Sequence, residues 1–160
     1  MPNEILIRTA IAADAPALGH LIESVHRLHA AARPDVFKPT ARADLETWAR
    51  QALTSSRTHI VVAEVGDALA GYAALLDEQR ADNVFGYHRR WRVVEQLGVH
   101  PDHRHRGVAR ALLDDIAATA RADGIPALEL DTWVFNREAQ AAFERLGFVA
   151  KTIRFEKLGD

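Results

Sequence analysis

The 160-residue sequence contains no cysteine. Disulfide frameworks, thiolate nucleophiles and cysteine-ligated metal sites are therefore excluded. The sequence also lacks a large excess of one charge: its formal net charge of −2 argues against general binding to nucleic acid or to an anionic membrane surface. No stretch approaches the length and apolarity of a membrane span.

The first residues, Met1 to Ile5, have no basic segment followed by a long apolar run. We therefore expect no signal peptide and a cytoplasmic protein. With 48% hydrophobic and 26% charged residues, the composition is that of a globular protein with a full core. No repeat or low-complexity linker divides the chain, so we expect a single domain over residues 1–160.

Hydrophobic periodicity and cap signals predict alternating strands and helices. The predicted strands are Glu4–Arg8, His59–Val65, Leu69–Leu76, Trp91–Val99 and Ala127–Trp133, with one or two closing strands within Phe148–Leu158. The predicted helices run from Asp14 to before Arg33, from Ala41 to Leu53, from Gly107 to before Gly124, and from Asn136 to Leu146. A polar, mobile loop is predicted over Ala81–Arg90. A mixed sheet with helices on both faces satisfies this order.

The most informative stretch is a strand that carries Glu95, followed by a basic loop and a helix that begins near Gly107. The first amides of a helix have no partner inside the helix, and the helix dipole adds partial positive charge there. Gly107 lets a ligand approach the backbone, and Arg104, Arg106 and Arg110 add formal charge. The pattern predicts a pyrophosphate site, with a solvated basic turn as the alternative.

Two motifs in this part of the chain resemble a known family. The segment Arg104-His105-Arg106-Gly107-Val108-Ala109 fits the Arg/Gln-x-x-Gly-x-Gly/Ala signature of the GNAT superfamily of N-acetyltransferases, and residues 94–101 before it look like that family's fourth strand. About thirty residues later, Asn136-Arg137-Glu138-Ala139 and residues 142–148 are similar to the family's Asn-x-x-Ala … Tyr-Glu-Lys-x-Gly-Phe segment. Two motifs in the right order are more specific than either alone.

The resemblance implies the acyl-CoA N-acyltransferase fold of the α/β (α+β) class, a central mixed sheet of six or seven strands flanked by four helices. It implies acetyl-CoA as cosubstrate, bound where the fourth and fifth strands splay apart. The pantetheine arm would pair with the backbone of Leu97, Gly98 and Val99, and the pyrophosphate would bind the amides of Arg104, His105, Arg106, Gly107, Val108 and Ala109. Alternatively, Gly98 relieves packing, and Arg104 and Arg106 are plain surface charges.

Acetyl transfer needs an amine that has lost its proton, since alkyl amines are mostly protonated near neutral pH. Glu95 stands where many relatives keep a catalytic carboxylate, and we expect the strand to bury it enough to tune it as a general base. The alternative is a structural carboxylate paired with Arg92 or another nearby cation. Phe143 replaces the tyrosine that many relatives use as general acid, and it is free to pack beside the coenzyme arm. Water, Tyr72 or Tyr87 would substitute, and we assign Tyr87 to the site.

Three further positions complete the predicted site. By resemblance, Asn136 either bonds the pantetheine or caps its helix. His29 and Phe37 are interpreted as residues of the acceptor pocket, with a place in the core as the alternative. Glu23, His26 and His29 recur every three residues on the first helix, but no open-coordination motif such as His-Glu-x-x-His is present. We therefore predict no metal site.

The predicted function is acetyl-CoA-dependent transfer of an acetyl group to a primary amine of a small molecule or peptide, by direct attack on the thioester. Two alternatives remain: a protein N-terminal or ribosomal-protein acetyltransferase, and a non-catalytic acyl-CoA-binding sensor, which the missing tyrosine keeps open. The expected partners are the amine acceptor and a second copy in a homodimer. Nucleic acid and membrane are not expected, because the basic charge is local and the total is acidic.

Overall fold

The computed structural model describes residues 4–159, so Met1, Pro2 and Asn3, on which the signal-peptide prediction partly depends, lie outside it, as does Asp160. The five strands are β1 (Ile5–Thr9), β2 (His59–Val65), β3 (Ala68–Arg80), β4 (Arg89–Val99) and β5 (Leu128–Leu130). The α-helices are α1 (Ala15–Ala32), α2 (Arg42–Thr54), α3 (Val108–Ala122) and α4 (Arg137–Arg145).

The strands form one mixed sheet in the order β1-β2-β3-β4-β5. The first four pair antiparallel, and β5 pairs parallel with β4. One core cluster joins α1 and α2 to one face of the sheet, and a second joins α3 to the other. The predicted mixed sheet with helices on both faces is therefore confirmed.

The helix α3 shows why these elements form where they do. Its buried side chains recur at helical spacing and cover the sheet: Val108, Leu112, Leu113, Ile116 and Ala120. Full burial of a leucine or isoleucine side chain contributes about 1.5–3 kcal/mol relative to leaving it exposed. Opposite them, Ala70 to Leu75 of β3 are all buried, because this central strand is covered by helices on both faces.

The closing strands predicted within Phe148–Leu158 are wrong, and over residues 4–159 the sheet has five strands rather than six or seven. Residues 149–159 have no regular secondary structure, and Val149, Ile153, Phe155 and Leu158 are exposed. The neighbouring edge strand β5 has only three residues, where seven were predicted over Ala127–Trp133, and a short strand offers few backbone groups for pairing. Ion pairs, Lys151 with Glu129 and Arg33 with Glu156, link this segment to the domain.

The predicted loop Ala81–Arg90 is the turn of a long β3–β4 hairpin. β3 extends to Arg80 and β4 begins at Arg89, so the connection is shorter than predicted. The side chain of Asn83 accepts hydrogen bonds from the amides of Phe85 and Gly86. An asparagine side chain that bonds the backbone two residues on is a recognised turn former.

Candidate active site

The strands β4 and β5 part after one short stretch of pairing. Their register ends at the pair Val94 and Leu130. Beyond that pair, Glu95 to Val99 continue as β4 with no strand beside them on that side, within residues 4–159. We call this place the fork. An extended ligand can bind such an open edge in the way an added strand does.

The hydrogen bonds of β4 show which groups face the fork. The amide of His100 donates to the carbonyl of Ala70, at 2.8 Å, on the β3 side. Since backbone groups alternate sides along a strand, Leu97 and Val99 direct theirs toward the fork. The Nε of Arg104 donates to the Val99 carbonyl at 3.3 Å, so that acceptor is already engaged. The backbone of Leu97 and the amide of Val99 remain to meet a ligand.

The start of α3 fits an anion. Gly107 is the N-cap residue, with φ of 86°, and no atom lies within 4 Å of where its β-carbon would be. The first helical hydrogen bond runs from the amide of Ala111 to the Gly107 carbonyl, at 2.9 Å. Residues 108–110 therefore direct unpaired amides out of the helix. His105 also has a positive φ, of 59°, within the tight turn that leads to this helix.

The side chains of the loop have different surroundings. Arg104, Arg106 and Arg110 are all exposed, and Arg104 turns back to bond the Val99 carbonyl of β4. His105 Nε2 lies 3.5 Å from Glu138 Oε1 of α4. Val108 is buried in the core, so only its backbone is available to a ligand. The predicted pyrophosphate residues are thus together, with amides and exposed arginines as the groups that would hold a diphosphate.

Glu95 occupies a β-bulge. Ala74 pairs with Gln96 and Leu75 with Val94, so Glu95 is the extra residue of β4. A bulge re-aims a side chain relative to the regular pleat. Glu95 is exposed, and the burial that we expected for it is therefore wrong.

Arg92 is not the partner of Glu95. Its guanidinium is buried and binds Asp77 and Asp123, at 2.7 and 2.9 Å, and also donates to Thr119. These bonds tie β4 to β3 and to the end of α3. The alternative of a structural Glu95–Arg92 pair is wrong, and the carboxylate at the bulge is left available for chemistry.

Gly98 is a place of close packing between α1 and β4. A β-carbon at this position would lie 2.5 Å from Cε1 of Tyr72 and 2.9 Å from Cγ2 of Val25. The alternative that Gly98 relieves packing is thus observed, while its neighbours on either side face the fork. The bulge itself is at Glu95.

The two tyrosines, Tyr72 and Tyr87, have different surroundings. Tyr72 is buried, its hydroxyl donates to Gln96 Oε1 at 3.0 Å, and burial raises its pKa. Tyr87 is exposed in the hairpin turn. Glu95 is six residue steps along β4 from Arg89, a distance of about 20 Å at the rise of a strand. The structure therefore does not bring Tyr87 to Glu95.

The remaining predicted cofactor residues lie on α4. The Oδ1 of Asn136 accepts from the amide of Ala139 at 3.2 Å, so this side chain caps the helix. The ring of Phe143 is half-buried and packs edge-on against Phe148, with ring centroids 6.0 Å apart. Phe143 has no proton to donate, and it joins α4 to the core cluster of α3.

Four rings form what we call the aromatic wall: His29, Phe37, Trp133 and Phe135. Phe37 lies 5.2 Å from His29 and 5.5 Å from Trp133, measured between ring centroids. Trp133 stacks on Phe135, which also contacts His29. The structure thus brings His29 and Phe37 together, and their role in the acceptor pocket stays a prediction. Sequence reasoning missed Phe135, although aromatic residues at alternate positions just before the α4 cap are a usable signal.

The aromatic wall lies at the level of Glu95. The rings of His20 on α1 and His100 at the end of β4 are 5.6 Å apart. From His20 to His29 the helix rises about 13.5 Å, equal to about four residues of strand. Gln96 is four residues before His100 and next to the bulge. His29, at the far end of the same helical stretch, is therefore at about the level of Glu95.

A cavity of about 560 Å³ lies at the other end of α1, with His20, His100 and His103 among its lining residues. No group of three or more His, Asp or Glu residues within residues 4–159 is arranged to hold a metal ion. In the same residues, no helix is both long and apolar enough to cross a membrane.

Comparison with known proteins decides the family. Residues 22–148 match the sequence model of the Acetyltransferase (GNAT) family. The chain belongs to this family. The family resemblance and fold class predicted from the two motifs are therefore confirmed, and with them the placement of this GNAT chain among the acetyltransferases.

Individual relatives agree with that family. The chain is 33% identical over 113 residues to streptothricin acetyltransferase of Streptomyces lavendulae, an alignment that covers 71% of this chain and 55% of the relative. The chain thus spans about half the length of that curated relative.

Solved structures show the same fold. A single-substitution mutant of the BH1408 protein from Bacillus halodurans superposes with a TM-score of 0.89 at 22% identity, covering 96% of this chain and 98% of that one. A ribosomal-protein-alanine N-acetyltransferase from Brucella melitensis biovar Abortus 2308 gives a TM-score of 0.70 at 21% identity, covering 98% and 100%.

Proposed function

We propose that this GNAT protein is an acetyl-CoA-dependent N-acetyltransferase, a single domain over residues 1–160, that acetylates a primary amine of a small molecule or peptide. The observation that carries the proposal is the fork. It places an open stretch of β4 between the unpaired amides of residues 108–110 and the carboxylate of Glu95. A long ligand that is anionic at one end and reactive at the other fits that arrangement.

The binding groups follow from the geometry. The amides at the start of α3, with Arg106 and Arg110, would hold the diphosphate. The backbone of Leu97 and the amide of Val99 would bond the pantetheine arm. Phe143 offers an apolar surface from α4, and Gly98 keeps β4 close to α1. These contacts would aim the thioester at the level of the bulge.

Acetyl-CoA supplies the acetyl group as a thioester, whose C–S bond breaks as the amine nitrogen bonds to the carbonyl carbon. Glu95 accepts a proton from the amine, directly or through one water molecule. Tyr72 is committed to Gln96 and Tyr87 is distant, so neither is placed to protonate the thiolate that leaves. We assign that proton to water.

The relatives bear on the acceptor. The likeness to streptothricin acetyltransferase favours a small-molecule amine, and the likeness to a ribosomal-protein-alanine N-acetyltransferase keeps a protein acceptor as the alternative. The exposed Glu95 and the phenylalanine at 143 favour a second candidate, an acyl-CoA-binding sensor without turnover. A cytoplasmic location and a homodimer stay predictions.

Two measurements test the proposal. Calorimetric titration with acetyl-CoA is expected to show binding at one site per chain, and a panel of amines assayed for release of free thiol is expected to include at least one acceptor. Acetyl-CoA binding with no turnover on any amine would favour the sensor. Absence of acetyl-CoA binding would overturn both.

A further inference from the structure

Two acidic residues come directly after the last registered pair of β4 and β5, where the fork opens. The last registered pair is Val94 and Leu130, and the next residue of each strand is acidic: Glu95 on β4 and Asp131 after β5. Neighbouring strands lie about 4.8 Å apart in a sheet, so the two backbones part from that separation. Asp131 is exposed, as Glu95 is.

Neither carboxylate takes part in an ion pair with any residue among 4–159. By contrast, Glu129 of β5, two residues before Asp131, pairs with Arg89 and Lys151. Arg92 is committed to Asp77 and Asp123. Like charges on adjacent strands are unfavourable unless a cation lies between them. The fork therefore has a place for a positive charge that the chain itself does not supply.

The aromatic wall gives an independent sign that this region accepts cations. The guanidinium of Arg33 lies 5.1 Å from the ring centroid of Trp133, two residues after Asp131. Asp35 and Glu156 both pair with this guanidinium. These three side chains sum to −1. With Glu95 and Asp131 the surroundings of the fork are negative, and a cation over an aromatic face is attracted by the ring.

We infer that Asp131 holds the ammonium group of the acceptor beside Glu95, and that this residue makes the site prefer amines that carry positive charge. The inference rests on the proposed function and adds a positioning residue to its acceptor site. Glu95 takes one proton from the ammonium, and the nitrogen then bonds to the acetyl carbon as the C–S bond breaks. The nitrogen's second proton passes through water to the thiolate, and the third stays on the amide.

The test compares two amines in two variants. Asp131→Asn is expected to raise KM for 1,4-diaminobutane about tenfold, while kcat/KM for 2,2,2-trifluoroethylamine, which is mostly uncharged near neutral pH, stays unchanged. Asp114→Asn, an exposed carboxylate on α3, is the matched control and should change neither. Asp131→Glu keeps the charge and should keep the preference for the charged amine. Equal effects of Asp131→Asn on both amines, or none, would overturn the inference.

A binding measurement separates this inference from the proposed function. In NMR titrations with 1,4-diaminobutane, the indole N–H of Trp133 is expected to shift in the wild type and to need about tenfold more diamine in Asp131→Asn. If that holds while no amine is turned over, the ammonium site stands and the enzyme assignment fails. If amines are turned over and the diamine ignores position 131, the assignment stands and the ammonium site is rejected. Acetyl-CoA affinity, unchanged in each variant, reports that the fold is intact.

Discussion

Gly98 and Tyr72 are in direct contact: a β-carbon at position 98 would lie 2.5 Å from Cε1 of the tyrosine ring. Gly98→Ala is therefore expected to destabilise the fold by about 1–3 kcal/mol, because overpacking forces the ring or the strand to move. Urea unfolding measures it, with Gly159→Ala, where nothing lies within 4 Å, as control.

A double variant checks the cause. Adding Tyr72→Leu removes the ring atoms that clash. The loss of unfolding free energy in the double variant should therefore be smaller than the sum of the losses in the two single variants. Strict additivity would show that the loss at position 98 comes from somewhere other than the tyrosine.

The role of Glu95 is tested at the rate. Glu95→Gln removes the proton acceptor but keeps the shape of the side chain at the bulge, so kcat is expected to fall about 100-fold while acetyl-CoA affinity stays the same. Steady-state kinetics and calorimetry measure the two quantities. The exposed Glu144→Gln on α4 is the matched control. A rate equal to that of the wild type would reject Glu95 as the base.

The start of α3 is tested by charge. Gly107→Asp puts a carboxylate where the diphosphate would bind, and acetyl-CoA binding should disappear. Gly66→Asp in the β2–β3 turn is a close control, because both glycines have positive φ, of 86° and 64°, with no atom within 4 Å of the β-carbon position. Both variants should lose similar stability on thermal unfolding, and only the first should lose the ligand. Retained affinity in Gly107→Asp would move the diphosphate elsewhere.

Acid stability depends on Asp14. The Arg8 guanidinium, which binds this carboxylate with two hydrogen bonds, holds the pKa of Asp14 below its ordinary value of 3.8. A carboxyl with a lowered pKa in the folded state stabilises the fold above the unfolded value, and this is lost as pH falls through the folded pKa. Asp14→Asn should therefore cost about 1–3 kcal/mol near neutral pH and flatten the loss of stability toward acid.

The measurement is chemical unfolding at steps from neutral pH into acid. Asp67→Asn, an exposed carboxylate in the β2–β3 turn, should leave the curve as it is. An Asp14→Asn curve with the wild-type slope in acid would contradict the assigned role of the Arg8 pair.

Local signals predicted most of the fold. β2 lies at the predicted His59–Val65, and α2 and α4 begin within one residue of their predicted starts. These predictions succeeded because hydrophobic periodicity and helix-capping signals depend only on residues close together in the sequence. The closing strands failed for the opposite reason. Residues 152–156 alternate polar and apolar side chains as a strand would, but pairing depends on an edge that β5, with three residues, does not provide.

The site divides in the same way. The loop from Arg104 to Ala109 was predictable from the sequence. A glycine before an apolar helix marks the start of that helix, and the first amides of a helix are unpaired whatever the helix packs against. Tyr87 was misplaced because its distance from Glu95 depends on how far the hairpin extends. Asp131 was missed because only the register of β4 with β5 shows that it follows the same residue pair as Glu95.

The short β4–β5 pairing has a mechanical consequence. Residues 128–159 pair with the rest of the sheet through three residue pairs, and α4 packs on the core only with half-buried side chains such as Phe143. Because α4 buries so little, it is expected to open before global unfolding, with faster amide exchange over Arg137–Arg145 than in β3. A cosubstrate that contacts both β4 and α4 would hold them together. Its binding is therefore expected to slow amide hydrogen exchange throughout α4.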